Sequence, residues 1–338
     1  MLFRAKAPLR LSFAGGGTDV SPYPEQHGGA ALNTTIDKYA YVSLEVRDDQ
    51  QFALYDLDDE SEVKGTVNEE IPYDGTLDLA KAVVRRLRIR QGFNLWLHSD
   101  APWGSGLGSS STHVVAVLGA FVHWKRLDVA AYELAETAYQ IERNDLRLEG
   151  GRQDQYSATF GGFNFMEFSD KGTIVNPLRI KPEVMNELQF RLLLCFLGRT
   201  RLSSEILKDQ ISRYKSGEGE SVEALHQTRE LAYEMKRALL RGQIDYMGEL
   251  LHQGWELKKR FSNLVSTPRV DEIYHEARRH GAVGGKLLGA GGGGHMLFLC
   301  PKTGKIPLAS HLSNVGISIV PFSFELEGLT TWEVTNEW

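Results

Sequence analysis

Apolar and polar residues alternate along several short stretches of the chain, and a period near 3.6 runs through others. The first pattern predicts strands and the second helices. In FNLWLHSD (93–100), Phe93, Leu95 and Leu97 share one face, as a half-buried strand requires. Residues 2–13, 39–47 (YAYVSLEVR) and 163–168 (FNFMEF) read the same way, and LLLCFLG (192–198) predicts a buried strand. Helical spacing covers LDLAKAVVRRLRIR (77–90), VAAYELAETAYQIER (129–143) and most of 203–280, broken by SGEGES (216–221) and Pro268. The first half therefore mixes strands and helices, while the second is mostly helical and returns to strands near its end. This predicts an α/β (α+β) protein. The turn-rich SDKGT and NPLRIKPE mark a division into 1–185 and 186–338.

With 338 residues, 42% hydrophobic and 24% charged, the chain has the composition of a globular protein with a sizeable core. No apolar run approaches the length of a membrane helix, and the N-terminus lacks the ordered regions of a signal peptide. Cytoplasmic location and no membrane partner are expected. Cys195 and Cys300 each sit inside an apolar run, which predicts core thiols and neither a disulfide nor a metal site. A net charge of −6 argues against a nucleic-acid partner. A small phosphorylated ligand would need local positive groups on this acidic background. The totals leave a homodimer open.

Three glycine-rich segments carry the chemistry. PWGSGLGSSS (102–111) is followed by the apolar, helical THVVAVLGAFVHW. Gly104, Gly106 and Gly108 can bring bare backbone close to a ligand, and successive amides can form an anion nest. The following helix adds its positive N-terminal end. Ser109, Ser110 and Ser111 can cap that helix or reach a metal ion. Strand, glycine loop and helix start together suit a triphosphate. The loop lacks the lysine of G-x-x-x-x-G-K-[ST], so a flexible turn with an ordinary cap competes with a nucleotide loop at this point. KLLGAGGGGHMLFLC (286–300) does contain G-x-G-x-x-G. A helical pattern precedes it and a strand follows, the reverse of a dinucleotide fold, so a nicotinamide site is rejected.

Pro102–Ser111 resembles the second motif of the GHMP small-molecule kinases. KAPLRLSFAGGGTDVSPYPEQHGGAALNTTID resembles the first motif, and Lys286–Gly294 the third. The resemblance spans essentially the whole chain. It implies a two-domain fold, with an N-terminal domain like ribosomal protein S5 domain 2 and a C-terminal ferredoxin-like layer. It implies ATP along Pro102, Gly104, Ser105, Gly106, Leu107, Gly108, Ser109, Ser110 and Ser111. It puts Mg²⁺ on Ser110 and Glu142, and Asp154 beside the acceptor hydroxyl as base. Arg10 would offset charge developing in transfer.

Where galactokinases and mevalonate kinases carry G-E-H, this chain has Gly15-Gly16-Gly17-Thr18-Asp19, the form of the family's heptose 7-phosphate branch and, more loosely, of fucokinases. That branch implies phosphorylation of the anomeric hydroxyl of D-glycero-D-manno-heptose 7-phosphate, feeding nucleotide-activated heptose for surface polysaccharide. Gly16, Gly17, Thr18, Asp19, Arg152 and Gly291 would meet the sugar. Lys6, Arg152, Arg199, Arg201 and Lys286 are candidate anchors for its remote phosphate, among which the sequence does not choose. An L-fucose-type kinase is the rival within the family, and a ligand sensor without chemistry the rival outside it.

Overall fold

The computed structural model describes residues 1–198 and 203–335. From the N-terminus the elements are β1 (Leu2–Ala14), α1 (Tyr23–His27), β2 (Gly29–Val46), β3 (Gln51–Asp56), β4 (Ser61–Thr66), α2 (Asp78–Arg86) and β5 (Phe93–Ser99). Next come α3 (Ser109–Lys125), α4 (Ala131–Gln140), a π-helical turn over Ile141–Asp145, α5 (Gln153–Phe160), β6 (Phe163–Ser169) and β7 (Gly172–Pro177). The rest comprises α6 (Pro182–Arg191), β8 (Leu192–Phe196), α7 (Ser203–Lys215), α8 (Gly219–Leu240), α9 (Ile244–Lys259), α10 (Pro268–Arg279), β9 (Gly284–Leu287), β10 (His295–Leu299), α11 (Lys305–Asn314), β11 (Ser318–Val320), β12 (Phe324–Glu325) and β13 (Thr330–Val334).

Two sheets organise the molecule. The larger runs β13-β1-β2-β5-β3-β4, with β6 and β12 on other lengths of β2 and β7 beyond β6. β2 reaches both groups because it is 18 residues long: residues 40–46 pair with β5 and residues 29–34 with β6. The smaller sheet is antiparallel, in the order β11-β8-β10-β9. One core lies between the large sheet and α2, α3 and α4, around Leu44, Leu95 and Phe121. α3 is apolar on every side over Val114–Phe121, as a helix enclosed by protein must be. A second core joins β1, β2 and β6 to α8 and α9 through Leu9, Leu11, Met235 and Leu250. A third packs the small sheet against Trp255, Tyr274 and Leu308. The last strands cross the division expected at 185, since β12 pairs with β2 and β13 with β1.

The strands expected over 2–13, 93–100, 163–168 and 192–198 and the helices over 77–90 and 129–143 are present within a few residues. β3 and β4 were not anticipated: they are short, and β4 is largely solvated. α5 was also missed, because its polar residues Gln153, Gln155 and Ser157 are buried and give no amphipathic stripe. Cys195 and Cys300 are free, buried thiols. Among the described residues, no helix is long and apolar enough to cross a membrane.

Candidate active site

A cavity of about 310 Å³ opens between the two sheets. β1 leads into it, α3 and α5 begin at it, and β9 with the loop after it closes its far side. On β1, residues two apart share a face, so Arg10 and Ser12 both reach the cavity. The Arg10 guanidinium grips Asp154 with Nε donating to Oδ1 at 2.7 Å and Nη2 to Oδ2 at 3.0 Å. Its Nη1 donates to the Gly106 carbonyl at 2.6 Å, and its backbone amide to the Leu107 carbonyl at 3.1 Å. One arginine thus fixes both the base candidate and the glycine loop.

The loop residues expected to meet a nucleotide divide into liners and supports. Gly104, Gly106, Gly108, Ser109, Ser110 and Ser111 line the cavity. Pro102, Ser105 and Leu107 stand behind it: the Ser105 carbonyl accepts from the His295 amide and from Nδ1, both at 2.8 Å. No serine caps α3. The helix starts at Ser109, with Gly108 in the cap position at φ +82° and no side-chain cap. The amides of the first turn, which lack intrahelical partners by geometry, are left for a ligand. A Cβ on Gly108 would also crowd the Asp154 carboxylate, at 3.2 Å. Ser109 closes the loop onto the Ala101 and Pro102 carbonyls.

Glu142 lies in the π-helical turn after α4, a departure from the plain helix end expected there. It is buried, accepts from Ser111 Oγ at 3.0 Å and from Gln155 Nε2, and lines the cavity. Ser110 lines the same cavity. Burial raises the Glu142 carboxyl above its usual range, against the lowering influence of Arg143. Arg143, not singled out from the sequence, folds the following loop by donating to the carbonyls of Leu148, Glu149 and Gly151.

Asp19 is buried at the cavity wall. Its Oδ1 accepts from the Gly17 amide at 3.0 Å, and its Oδ2 from the Arg152 and Gln153 amides at 3.0 and 3.1 Å. It therefore caps the helix that carries Asp154. Burial raises its carboxyl too. Gly16 and Gly17 line the cavity beside it.

Three expected substrate contacts are elsewhere. The Thr18 hydroxyl is fully buried and spent on the Gly15 and Ala30 backbone. The Arg152 side chain pairs with Glu25 at 3.0 Å and covers the Tyr139 ring, so it does not line the cavity. Gly291 packs on the Val265 backbone, while Gly289 and Ala290 face the cavity instead.

Of the candidate phosphate anchors, Lys6 sits over Tyr39 and outside the cavity, Lys286 lines it, and Arg199 and Arg201 lie outside the described residues. Lys258, from α9, also lines the cavity and went unrecognised in the sequence, where a lysine on a helix reads as a solvated charge.

Residues 76–162 match the family described as GHMP kinases N terminal domain, and residues 235–316 match GHMP kinases C terminal. The chain belongs to the GHMP kinases and has their two-domain fold, and with it the class of phosphotransferases with an alcohol acceptor. The chain is 41% identical over 337 residues to the D-glycero-alpha-D-manno-heptose 7-phosphate kinase of Campylobacter jejuni, covering 98% of this chain and 99% of that one. A solved structure described as a D-glycero-D-manno-heptose 1-phosphate kinase from Bacteriodes thetaiotaomicron superposes with a TM-score of 0.83 at 36% identity, covering 99% and 100% of the two chains. The bifunctional fucokinase/GDP-fucose pyrophosphorylase of Arabidopsis thaliana is 26% identical over 89% of this chain and 30% of that protein.

Proposed function

We propose that this chain transfers the γ-phosphoryl group of ATP to the anomeric hydroxyl of D-glycero-D-manno-heptose 7-phosphate, giving the 1,7-bisphosphate. The observation that carries the reading is the Arg10–Asp154 pair, facing the uncapped first turn of α3 across one cavity. In that arrangement the amides from Gly108 to Ser111 bind the phosphates. Asp154, with both oxygens braced by Arg10, accepts the hydrogen bond of the attacking hydroxyl and orients it. A bond forms between the anomeric oxygen and phosphorus, the bond from phosphorus to the β–γ bridging oxygen breaks, and the hydroxyl proton passes to Asp154. ADP leaves. A loose transition state needs little early deprotonation, so positioning is the main contribution of Asp154. Arg10 stabilises charge on the moving group.

The desolvated Glu142 carboxylate, in the cavity that Ser110 also lines, suits a hard divalent cation, which would relieve its buried charge. Glu142 and Ser110 would hold Mg²⁺, which neutralises phosphate charge when bound. Gln153 Oε1 is buried at the cavity wall without a partner among the described residues, as a contact reserved for a sugar hydroxyl would be.

The test is a substrate panel read by ADP production, with the product located by phosphorus NMR. The expected result is turnover of heptose 7-phosphate far above that of the same sugar without phosphate, with the new phosphate on the anomeric carbon. Equal efficiency on both sugars would sink the assignment. Preference for L-fucose would favour a sugar-1-kinase of the kind named for the Arabidopsis relative.

A further inference from the structure

Behind the point where Gly106 meets Gly289, two ammonium groups are buried without counter-ions among the described residues. Lys258 and Lys286 are 8% and 6% exposed and line the same cavity. Lys258 Nζ donates to the carbonyls of Leu287 at 2.8 Å and Gly289 at 2.6 Å. Lys286 Nζ donates to the Phe13 carbonyl at 3.3 Å. Neither has a carboxylate partner among the described residues, and the nearby Arg10 charge is already met by Asp154. Each ammonium has three N–H groups, so Lys258 keeps one and Lys286 two. The Ser12 hydroxyl, 4% exposed on the same cavity wall, has no partner among the described residues.

Burying two like charges without an anion is costly, and a hydroxyl left unpaired in the same cavity adds to the cost. A group with several negatively charged oxygens would answer all three residues together. We propose that Lys258, Lys286 and Ser12 form a seat for a terminal phosphate group of a ligand in this cavity. The seat is made by α9, β9 and β1, elements other than the amide-lined start of α3. Its occupant is the remote phosphate of the sugar or the transferring phosphoryl group of the nucleotide; naming the first rests on the function proposed above. The electrostatics agree with an empty anion seat. Burial and the neighbouring Arg10 push the Lys286 ammonium down to about 8. Burial, Lys286 and Arg10 push Lys258 well below its usual range.

The experiment uses the full chain and its Lys258→Met, Lys286→Met and Ser12→Ala variants. Inorganic phosphate, without nucleotide or sugar, is titrated against thermal unfolding, and kcat and KM are measured for heptose 7-phosphate and for ATP. Wild type gains stability from phosphate. Both lysine variants lose that gain, while their own unliganded melting temperatures rise because a buried charge is gone. Ser12→Ala weakens phosphate binding by about tenfold and decides the matter if a lysine variant fails to fold. A rise of 100-fold or more in KM for the phosphosugar alone identifies the sugar phosphate as occupant. A fall in kcat with a raised KM for ATP identifies the nucleotide. If heptose 7-phosphate proves not to be the substrate, the phosphate titration still reads the seat. The proposal is overturned if wild type ignores phosphate, or if folded variants keep both its binding and their constants within threefold.

Discussion

Arg10 and Asp154, 144 residues apart, are joined by two parallel hydrogen bonds of 2.7 and 3.0 Å. This fork needs a planar guanidinium with fixed donors, which lysine cannot imitate. Arg10→Lys also frees the Gly106 carbonyl, and is expected to lower kcat by about 100-fold, the usual effect of losing an oriented transition-state donor. Asp154→Asn should keep the KM for ATP within about threefold and lose nearly all turnover. Retention of more than about a tenth of kcat, ~1.4 kcal/mol in the barrier, would remove Asp154 from the mechanism. Steady-state ADP release measures both.

Asp19 binds the glycine turn to the first residues of α5 by accepting three backbone amides. Asp19→Ala leaves those donors without their partner and is expected to destabilise the fold by about 2 kcal/mol. Because Asp154 follows Gln153 directly, kcat should fall with stability. Denaturant unfolding alongside kinetics tests this, and an unaltered kcat in a destabilised variant would confine Asp19 to a purely structural role.

Gly106 and Gly289 press two loops together backbone to backbone. A Cβ on Gly289, where φ is +66°, would lie 2.5 Å from the Gly106 Cα. Gly289→Ala must part the loops or strain the turn, at about 1–3 kcal/mol. Nucleotide affinity, measured by calorimetry with a non-hydrolysable ATP analogue, should drop about tenfold or more. Unchanged affinity would show that the third glycine segment does not shape the nucleotide loop.

Glu142 gives a prediction with a definite sign. Its carboxyl is raised by burial, so the folded protein holds that proton more readily than the unfolded chain does. The resulting stability is fully present below the ordinary glutamate range and is lost as pH rises through the raised value. Glu142→Gln cannot ionise. It should melt above wild type at neutral pH, with the gap closing as pH falls through the raised value toward the ordinary one. Mg²⁺ with nucleotide should stabilise wild type more than the variant, and the variant's kcat should fall at least tenfold. A melting difference that ignores pH would refute the buried-charge account.

Much of this molecule is local and could be read in order along the chain. Period-2 and period-3.6 patterns mark β5 and α4 because each buries one face against a neighbour, while β1 and β6 are enclosed on both faces over much of their length. The glycine spacing could be read as backbone free to approach a ligand, because that freedom belongs to the residue itself, but only the resemblance of three segments to a kinase family pointed to a triphosphate. Tertiary structure alone decided which side chains stand free in the cavity. Thr18 and Ser111 carry the same hydroxyl chemistry as Ser110 and Ser12. Folding consumes the first two in bonds to Ala30 and Glu142 and leaves Ser12 without a partner among the described residues. Lys286 is one of five candidate anchors in the sequence and Lys258, 28 residues away, looks like any surface lysine, until α9 packs on β9 and both are enclosed. Composition and spacing fix what a residue can do. Whether water, backbone or ligand satisfies it depends on burial by elements distant in the chain, which no local pattern encodes.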